Sequence, residues 1–523
     1  MSELCATGIL EVTADTPRIF VELPMFDIVS GAGSQLCDGS NRRDFLRAGL
    51  FGLAGLGLGN SLRASSAVGA NNFAHDKSVI FLFLAGGPSQ YETFDPKPEG
   101  PEGSTSLNGH IPSAIPGMRF SAYLPKLAKL ADRLTVVRSF QTKHPEHNGA
   151  HKQLLTADLT VQDGKPITEP GLGAVYSRAA GAMNPKSGLP RHILIPPTTR
   201  NKTGRAGFNG SFESVVEGCQ PAGLGTAFSP LELLAPFSEG PAEDNKKKKN
   251  DDATSPLEVF NPKLTPPQLD ERLGLLKQLD TLDRRFDSLG GMDRLDEFTR
   301  QAANLLQSDS VRKAIDLSQE SPATIKAYDT EHFPNWNCDD NSKFIRSGPS
   351  VGFSLGRQLL LARRLCEAGA GFVTVVNANW DFHARKGIPN MPEGMGVFAP
   401  PLDHAVSAFL EDVKARGLEK KILLVITGEF GRTPGLDKNL GRHHWPKICP
   451  LVFAGGGLKH GQVVGRSDKR GGEPASDAIT IADLHATILH TLFEVNRMRT
   501  DANIPARVVD RATKGKPIAE LFG

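Results

Sequence analysis

The chain has 523 residues, with 60 Lys and Arg against 58 Asp and Glu and a formal net charge of +2 at pH 7, in the composition of a soluble globular protein. So even a balance excludes an electrostatic case for nucleic acid or an anionic membrane surface as partner. The six cysteines include no CxxC pair, which speaks against a thiolate zinc site; Cys5 and Cys37 precede the expected cleavage point, and spacing alone pairs none of Cys219, Cys338, Cys366 and Cys449.

Residues 41–70 read NRRDFLRAGLFGLAGLGLGNSLRASSAVGA. Arg42 and Arg43 stand ahead of Phe45 and Leu46, a Gly/Ala/Leu run, and small residues near Ala67 and Ala70. This is the pattern of a twin-arginine export signal. Residues 1–70 are therefore expected to be leader and signal, with Met25 as an alternative start. The mature chain, 71–523, is expected in the periplasm or another extracytoplasmic place. The apolar run is short and Gly-rich, a poor stable membrane span, so no span is expected after cleavage.

The first strong element after that point is the apolar run 78–84, SVIFLFL, a strand that ends in the tight loop Ala85-Gly86-Gly87 with Asp95 not far beyond. The loop has neither GxGxxG nor a Walker lysine. A short helix is expected over 123–130 and a strand over 134–138. Past that strand, KHPEHNGAHKQLLTA carries His144, His147 and His151. His147 and His151, four apart, would share one helix face and suit one metal ion. Pro145 and Gly149 point to a loop entering a helix there. A helix over 172–182 and a strand over 192–196 follow.

Residues 200–235 are Gly-rich and read as irregular. Residues 238–256 are polar and of low complexity, and the four lysines there are flanked by acids, which marks an exposed loop rather than a basic patch. Helical periodicity over 264–330 marks a helical insertion, about 236–345 with the loop. From Ser354 the pattern is regular. A helix ends at Gly369, and a strand over 371–377 leads into NWDFHARK with Asp381 and His383. A helix over 401–416 precedes the strand 421–427, after which come Glu429, Arg432, His443 and His444. A strand over 451–454, a turn-rich link, a helix over 479–492 with Thr480 as N-cap, and a short closing helix complete the chain.

Strands alternating with helices predict an α/β fold, a mainly parallel sheet with helices on both faces. Right-handed crossovers bring the loops after the strands to one edge, where such sheets bind ligands. Carboxylates and imidazoles without thiolates suit Zn, Mn or Fe, and Arg432 is placed to clamp a tetrahedral anion.

The motifs GGPSQYETFDPKP (86–98), NWDFHARK (379–386), GEFGRTP (428–434), GRHHWP (441–446), VVGRSD (463–468) and ADLHATILH (482–490) resemble the exported bacterial family called domain of unknown function 1501 (DUF1501). That family is similar to the alkaline phosphatase-like superfamily of phosphatases, sulfatases and cofactor-independent phosphoglycerate mutases. The resemblance implies an alkaline phosphatase-like fold and a divalent-metal site. It matches Asp381 and His383 to an Asp and a downstream His after one late strand. Glu429 takes the carboxylate position after the next strand, with Phe430 where the pattern carries a His, and His444 matches a later loop His. The metal-binding Asp that commonly ends the first strand is replaced by Ala85-Gly86, and Asp95 is the candidate substitute. No nucleophilic Ser, Thr or Cys is evident.

The expected ligands are thus Asp381, His383, Glu429, His444 and Asp95. His147 and His151 are expected across the cleft as further ligands or acid–base groups, and Arg432 on the anionic group of the substrate. Two function classes follow. One is an exported metal-dependent hydrolase of phosphate or sulfate esters, acting on a small anionic ester or a sulfated or phosphorylated polymer. The other is a non-catalytic binding or structural protein on the same scaffold.

Overall fold

The computed structural model describes residues 73–197, 211–233, 308–333, 354–384 and 388–523. The expected export signal, the polar run 238–256 and the helical periodicity over 264–306 lie outside them. Eight runs form one sheet: β1 (Ser78–Leu84), β2 (Leu134–Val137), β3 (His192–Ile195), β4 (Leu231–Glu232), β5 (Phe372–Asn377), β6 (Ile422–Thr427), β7 (Leu451–Gly455) and β8 (Gln462–Val464). Their spatial order is β8-β2-β7-β6-β1-β5-β3-β4. β7 runs antiparallel to both its neighbours, and all other pairings are parallel. The sheet is therefore mainly parallel, as the apolar, β-branched runs imply. Every residue of β5 and β6 is buried, the condition of a strand covered on both faces.

The helices that bear on the site are α1 (His147–Thr156), α2 (Leu172–Ala180), α3 (Ser211–Gly218), α4 (Asp309–Ile315), α5 (Leu355–Glu367), α6 (Met391–Ala415), α7 (Ile481–Leu492) and α8 (Ala506–Thr513). Phe81 of β1 and Phe372 of β5 meet Leu154 of α1, Gly173 of α2, Cys219 and His485 of α7 across one face. α5 packs on β1 and β5, and α6 packs on α5. Strand side chains alternate, so these two helix groups take opposite faces. α4, in the described part of the insertion, packs on α5.

Besides β4 and β8, which fall in stretches read as irregular or turn-rich, two helices differ from expectation. α6 begins ten residues before Pro401, because Asn390 and Glu393 form a capping box that starts it and Pro400 and Pro401 lie inside the helix. α3 occupies part of a stretch that reads as irregular. The cysteines Cys219, Cys366 and Cys449 are buried free thiols. Among the described residues, no helix is long and apolar enough to cross a membrane.

The parallel strands finish level with one another. Leu84 sits opposite Asn377 and Phe83 opposite Thr427, so the loops starting at 85, 378 and 428 emerge side by side.

Candidate metal centre

The first of these loops turns through Gly86 at φ 115°, where a Cβ would stand 2.5 Å from the Trp380 backbone nitrogen. Only glycine fits that conformation and that approach. With the two backbones so close, the Gly86 N–H donates to both carboxylate oxygens of Glu429, at 2.9 and 3.1 Å. Glu429 is fully buried. A peptide N–H therefore stands where a ligand carboxylate is expected after the first strand, and it holds the neighbouring one.

α1 brings the two histidines in from the β2 side of the sheet. Its first residue is His147, and His151 lies one turn on. The chain enters this helix closely packed, since a Cβ on Gly149 would meet the His144 ring at 2.3 Å. His147 donates from Nδ1 to Glu429 Oε1 at 2.7 Å, and its Nε2 lies 3.4 Å from Asp381 Oδ2. His151, with no exposed surface, places Nε2 3.2 Å from Glu429 Oε1 and Nδ1 2.8 Å from the Ser214 hydroxyl.

Asp381, after β5, is the second centre of the cluster. His383 Nε2 lies 2.8 Å from its Oδ2, and His444 Nε2 3.3 Å from its Oδ1. The Pro145 carbonyl oxygen is 2.9 Å from His444 Nδ1 and orients that ring. Phe430, buried, stacks on His444 with centroids 4.5 Å apart and lies 5.0 Å from the His147 ring. It puts an apolar wall against the two imidazoles.

The electrostatics follow from this crowding. Burial alone would hold His147 neutral, but hydrogen bonds and charge from Asp381 and Glu429 outweigh it and raise its pKa to about 9. Burial would also raise both carboxyls. For Asp381 the Arg432 guanidinium and the bonds from His147, His383 and His444 win, and hold it well below the usual range. For Glu429 the imidazoles of His151 and His147 do the same. Without a metal, an imidazolium links two carboxylates.

Asp381, His383 and His444 thus meet around one carboxylate, and His147 joins that group to Glu429 and His151. Two other expected residues do not meet there as assigned. Arg432 has no exposed surface and turns its guanidinium on backbone oxygens: Nε donates to Gly87 O at 2.6 Å, Nη1 to Arg442 O at 3.0 Å, and Nη2 to Trp380 O at 3.1 Å and to Gly86 O. Nη2 also lies 2.7 Å from Asp381 Oδ1. It braces the loops and Asp381, and it is not presented to a substrate anion as expected. Asp95 does not substitute for the missing first-strand ligand. It is paired with Lys97 at 3.2 Å and Arg138 at 3.4 Å, and it accepts from the Ser467 hydroxyl. His443 stands apart, half exposed, 3.8 Å from Asp437.

Among the described residues, two sets of three ligand atoms lie within 4.8 Å of one another: His147, His151 and Glu429, and His147, Asp381 and His444. His147 belongs to both, and a neutral imidazole has one lone pair to give, so it serves one ion at a time. The first set fits a metal best. His151 Nε2 is buried and has no hydrogen-bond partner, although Glu429 Oε1 is close by. A buried nitrogen in that state needs a proton or a cation between it and the carboxylate. Two imidazoles and a carboxylate are a donor set for Zn, and also suit Mn or Fe.

Sequence reasoning missed Ser214, the Gly86 N–H and the Pro145 carbonyl. The two backbone groups leave no signal in residue type.

A mainly parallel α/β sheet, with carboxylates and imidazoles gathered past its C-terminal strand ends, defines an α/β protein whose candidate site lies at the sheet edge. The chain belongs to the DUF1501 family, described as a protein of unknown function, whose model matches residues 76–522. No curated protein matches the sequence. Solved structures it is similar to include the phosphonate monoester hydrolase SpPMH from Silicibacter pomeroyi, 11% identical, covering 85% of this chain and 76% of that one at a TM-score of 0.36. The PsFucS1 sulfatase from Pseudoalteromonas sp. is 11% identical over 86% of this chain and 72% of that one, TM-score 0.33. The lipoteichoic acid synthase LtaP from Listeria monocytogenes is 8% identical over 89% and 81%, TM-score 0.36. The site itself is read from this chain's own residues.

Proposed function

We propose that the protein is an exported hydrolase of phosphate or sulfate esters that works with one divalent metal ion held by His147, His151 and Glu429. The observation that carries this reading is the buried His151 Nε2, 3.2 Å from Glu429 Oε1 without an aligned hydrogen bond, beside two further ligand atoms. A metal there supplies Lewis acidity to an oxygen of a phosphoryl or sulfuryl group. Asp381, one-fifth exposed, is the carboxylate on the open side of the cluster. His383 and His444, held against the ionised Asp381, are the groups that would exchange a proton with a bound ester or with attacking water. Arg432 keeps Asp381 ionised and in place. Phe430 keeps water from the inner side of His147 and His444.

The substrate class is a small anionic ester or a sulfated or phosphorylated polymer. A single ion is favoured over a pair by the shared His147 and by Phe430 at the position of another imidazole. The test is metal analysis of the full chain supplied with Zn, Mn or Fe, followed by a panel of phosphate and sulfate esters. About one equivalent of metal, lost in His151→Ala, and turnover of at least one ester class are expected. Uptake below about a tenth of an equivalent overturns the metal site. Full uptake with no ester turned over leaves the binding-protein reading.

A further inference from the structure

The geometry points to Ser214 as the residue that sets His151 for metal, by accepting a hydrogen bond from Nδ1–H so that Nε2 offers its lone pair. This rests on the metal reading above. His151 has two nitrogens and two neighbours. Nε2 faces Glu429 at 3.2 Å, and Nδ1 faces the Ser214 hydroxyl at 2.8 Å. A neutral imidazole carries one proton, and the partner of one nitrogen decides the state of the other. If the hydroxyl donates to Nδ1, the proton sits on Nε2 and points toward Glu429, which closes the site to a cation. If the hydroxyl accepts from Nδ1–H, Nε2 is a free donor atom next to a buried carboxylate. Metal selects the second arrangement, and Ser214 is what makes it available inside a protein interior.

The placement of Ser214 is firmly built. α3 packs along α1, and Lys152 of α1 holds Glu217 of α3 at 2.6 Å. Gly218 allows the approach, because a Cβ there would lie 2.8 Å from the Leu155 side chain. Ser214 is itself buried. It stands behind the imidazole, on the side away from Nε2, so it is not the nucleophile for an ester; it acts through His151 as a positioning residue.

The experiment compares Ser214→Thr, which keeps the hydroxyl, with Ser214→Val, which has nearly the same shape without it. Zinc affinity of the full chain is measured by competition with a chromophoric chelator, and the urea midpoint of the metal-free protein is measured alongside. Ser214→Thr is expected to bind zinc as the wild type does. Ser214→Val is expected to bind it about 10–100-fold more weakly, the usual loss when a hydrogen bond to a ligand histidine is removed, at an urea midpoint matching that of Ser214→Thr. Equal zinc affinity in the two variants overturns the role of Ser214 while leaving the metal site standing. A wild-type chain that takes up no zinc overturns the site itself, a distinguishable result.

Discussion

A methyl group at position 86 would stand 2.5 Å from the Trp380 nitrogen and 3.0 Å from that of Asp381, on a backbone at φ 115°. Gly86→Ala must move the two loops apart. We expect a loss of at least about 3 kcal/mol in urea unfolding, with metal uptake falling as Glu429 loses its N–H donor. A variant as stable as wild type would show that the loops are not tightly joined. Arg432→Lys tests the other brace. An ammonium cannot reach the carbonyls of residues 86, 87, 380 and 442 together, and buried acceptors left without donors are expected to cost about 3–5 kcal/mol. An unfolding midpoint within error of wild type would return Arg432 to the list of substrate-facing groups. This is where the sequence was least legible. A guanidinium after a strand looks the same in sequence whether it meets a substrate or backbone oxygens from three other segments. The imidazoles and carboxylates were legible because several of them fall at the ends of neighbouring strands, where the sheet brings them together.

At the scale of elements, the apolar runs that became β1, β5 and β6 were readable to within a residue, because strands buried on both faces tolerate little else. α6 was read short because paired prolines usually open a helix, and the stronger start, the Asn390 capping box, lies ten residues earlier. α3 was not readable at all: it is short and follows a Gly-rich stretch, so its Ser214 carried no signal. Buried histidines on two elements give a pH prediction. Burial pulls His192 on β3 down to about 4, and burial with the Arg511 charge pulls His485 on α7 down to about 3. Both folded values lie below the unfolded one, so stability is complete above about pH 6.5 and is lost as pH falls, by about 2 kcal/mol per histidine at pH 5. Glu232 and Asp403, raised by burial to about 7 and about 6, work in the opposite direction. The comparison must therefore be differential: between pH 7 and pH 5, His485→Gln should lose about 2 kcal/mol less than wild type. An identical pH dependence would mean that His485 is not held neutral.

At the scale of the whole molecule, export is the first thing to check. Changing Arg42 and Arg43 together to Lys is expected to leave uncleaved precursor in the cytosol, seen by fractionation and immunoblot. Normal export of that double variant would remove the twin-arginine reading. The sheet order bears on the same question. β1 is the first strand made among the described residues, yet its partners β5 and β6 come from the far part of the chain, and Gly86 and Glu429 are 343 positions apart. At ribosomal speeds the wait between them is roughly 20–70 s. For that interval β1 is an apolar strand with both edges open, a hazard for aggregation and a natural client for a chaperone. On the proposed metal reading, no ion could be captured by His147, His151 and Glu429 together until the interval ends. Metal choice then falls to whichever compartment the chain is in when β6 docks; a chain that folds before it is exported draws its ion from the cytosol.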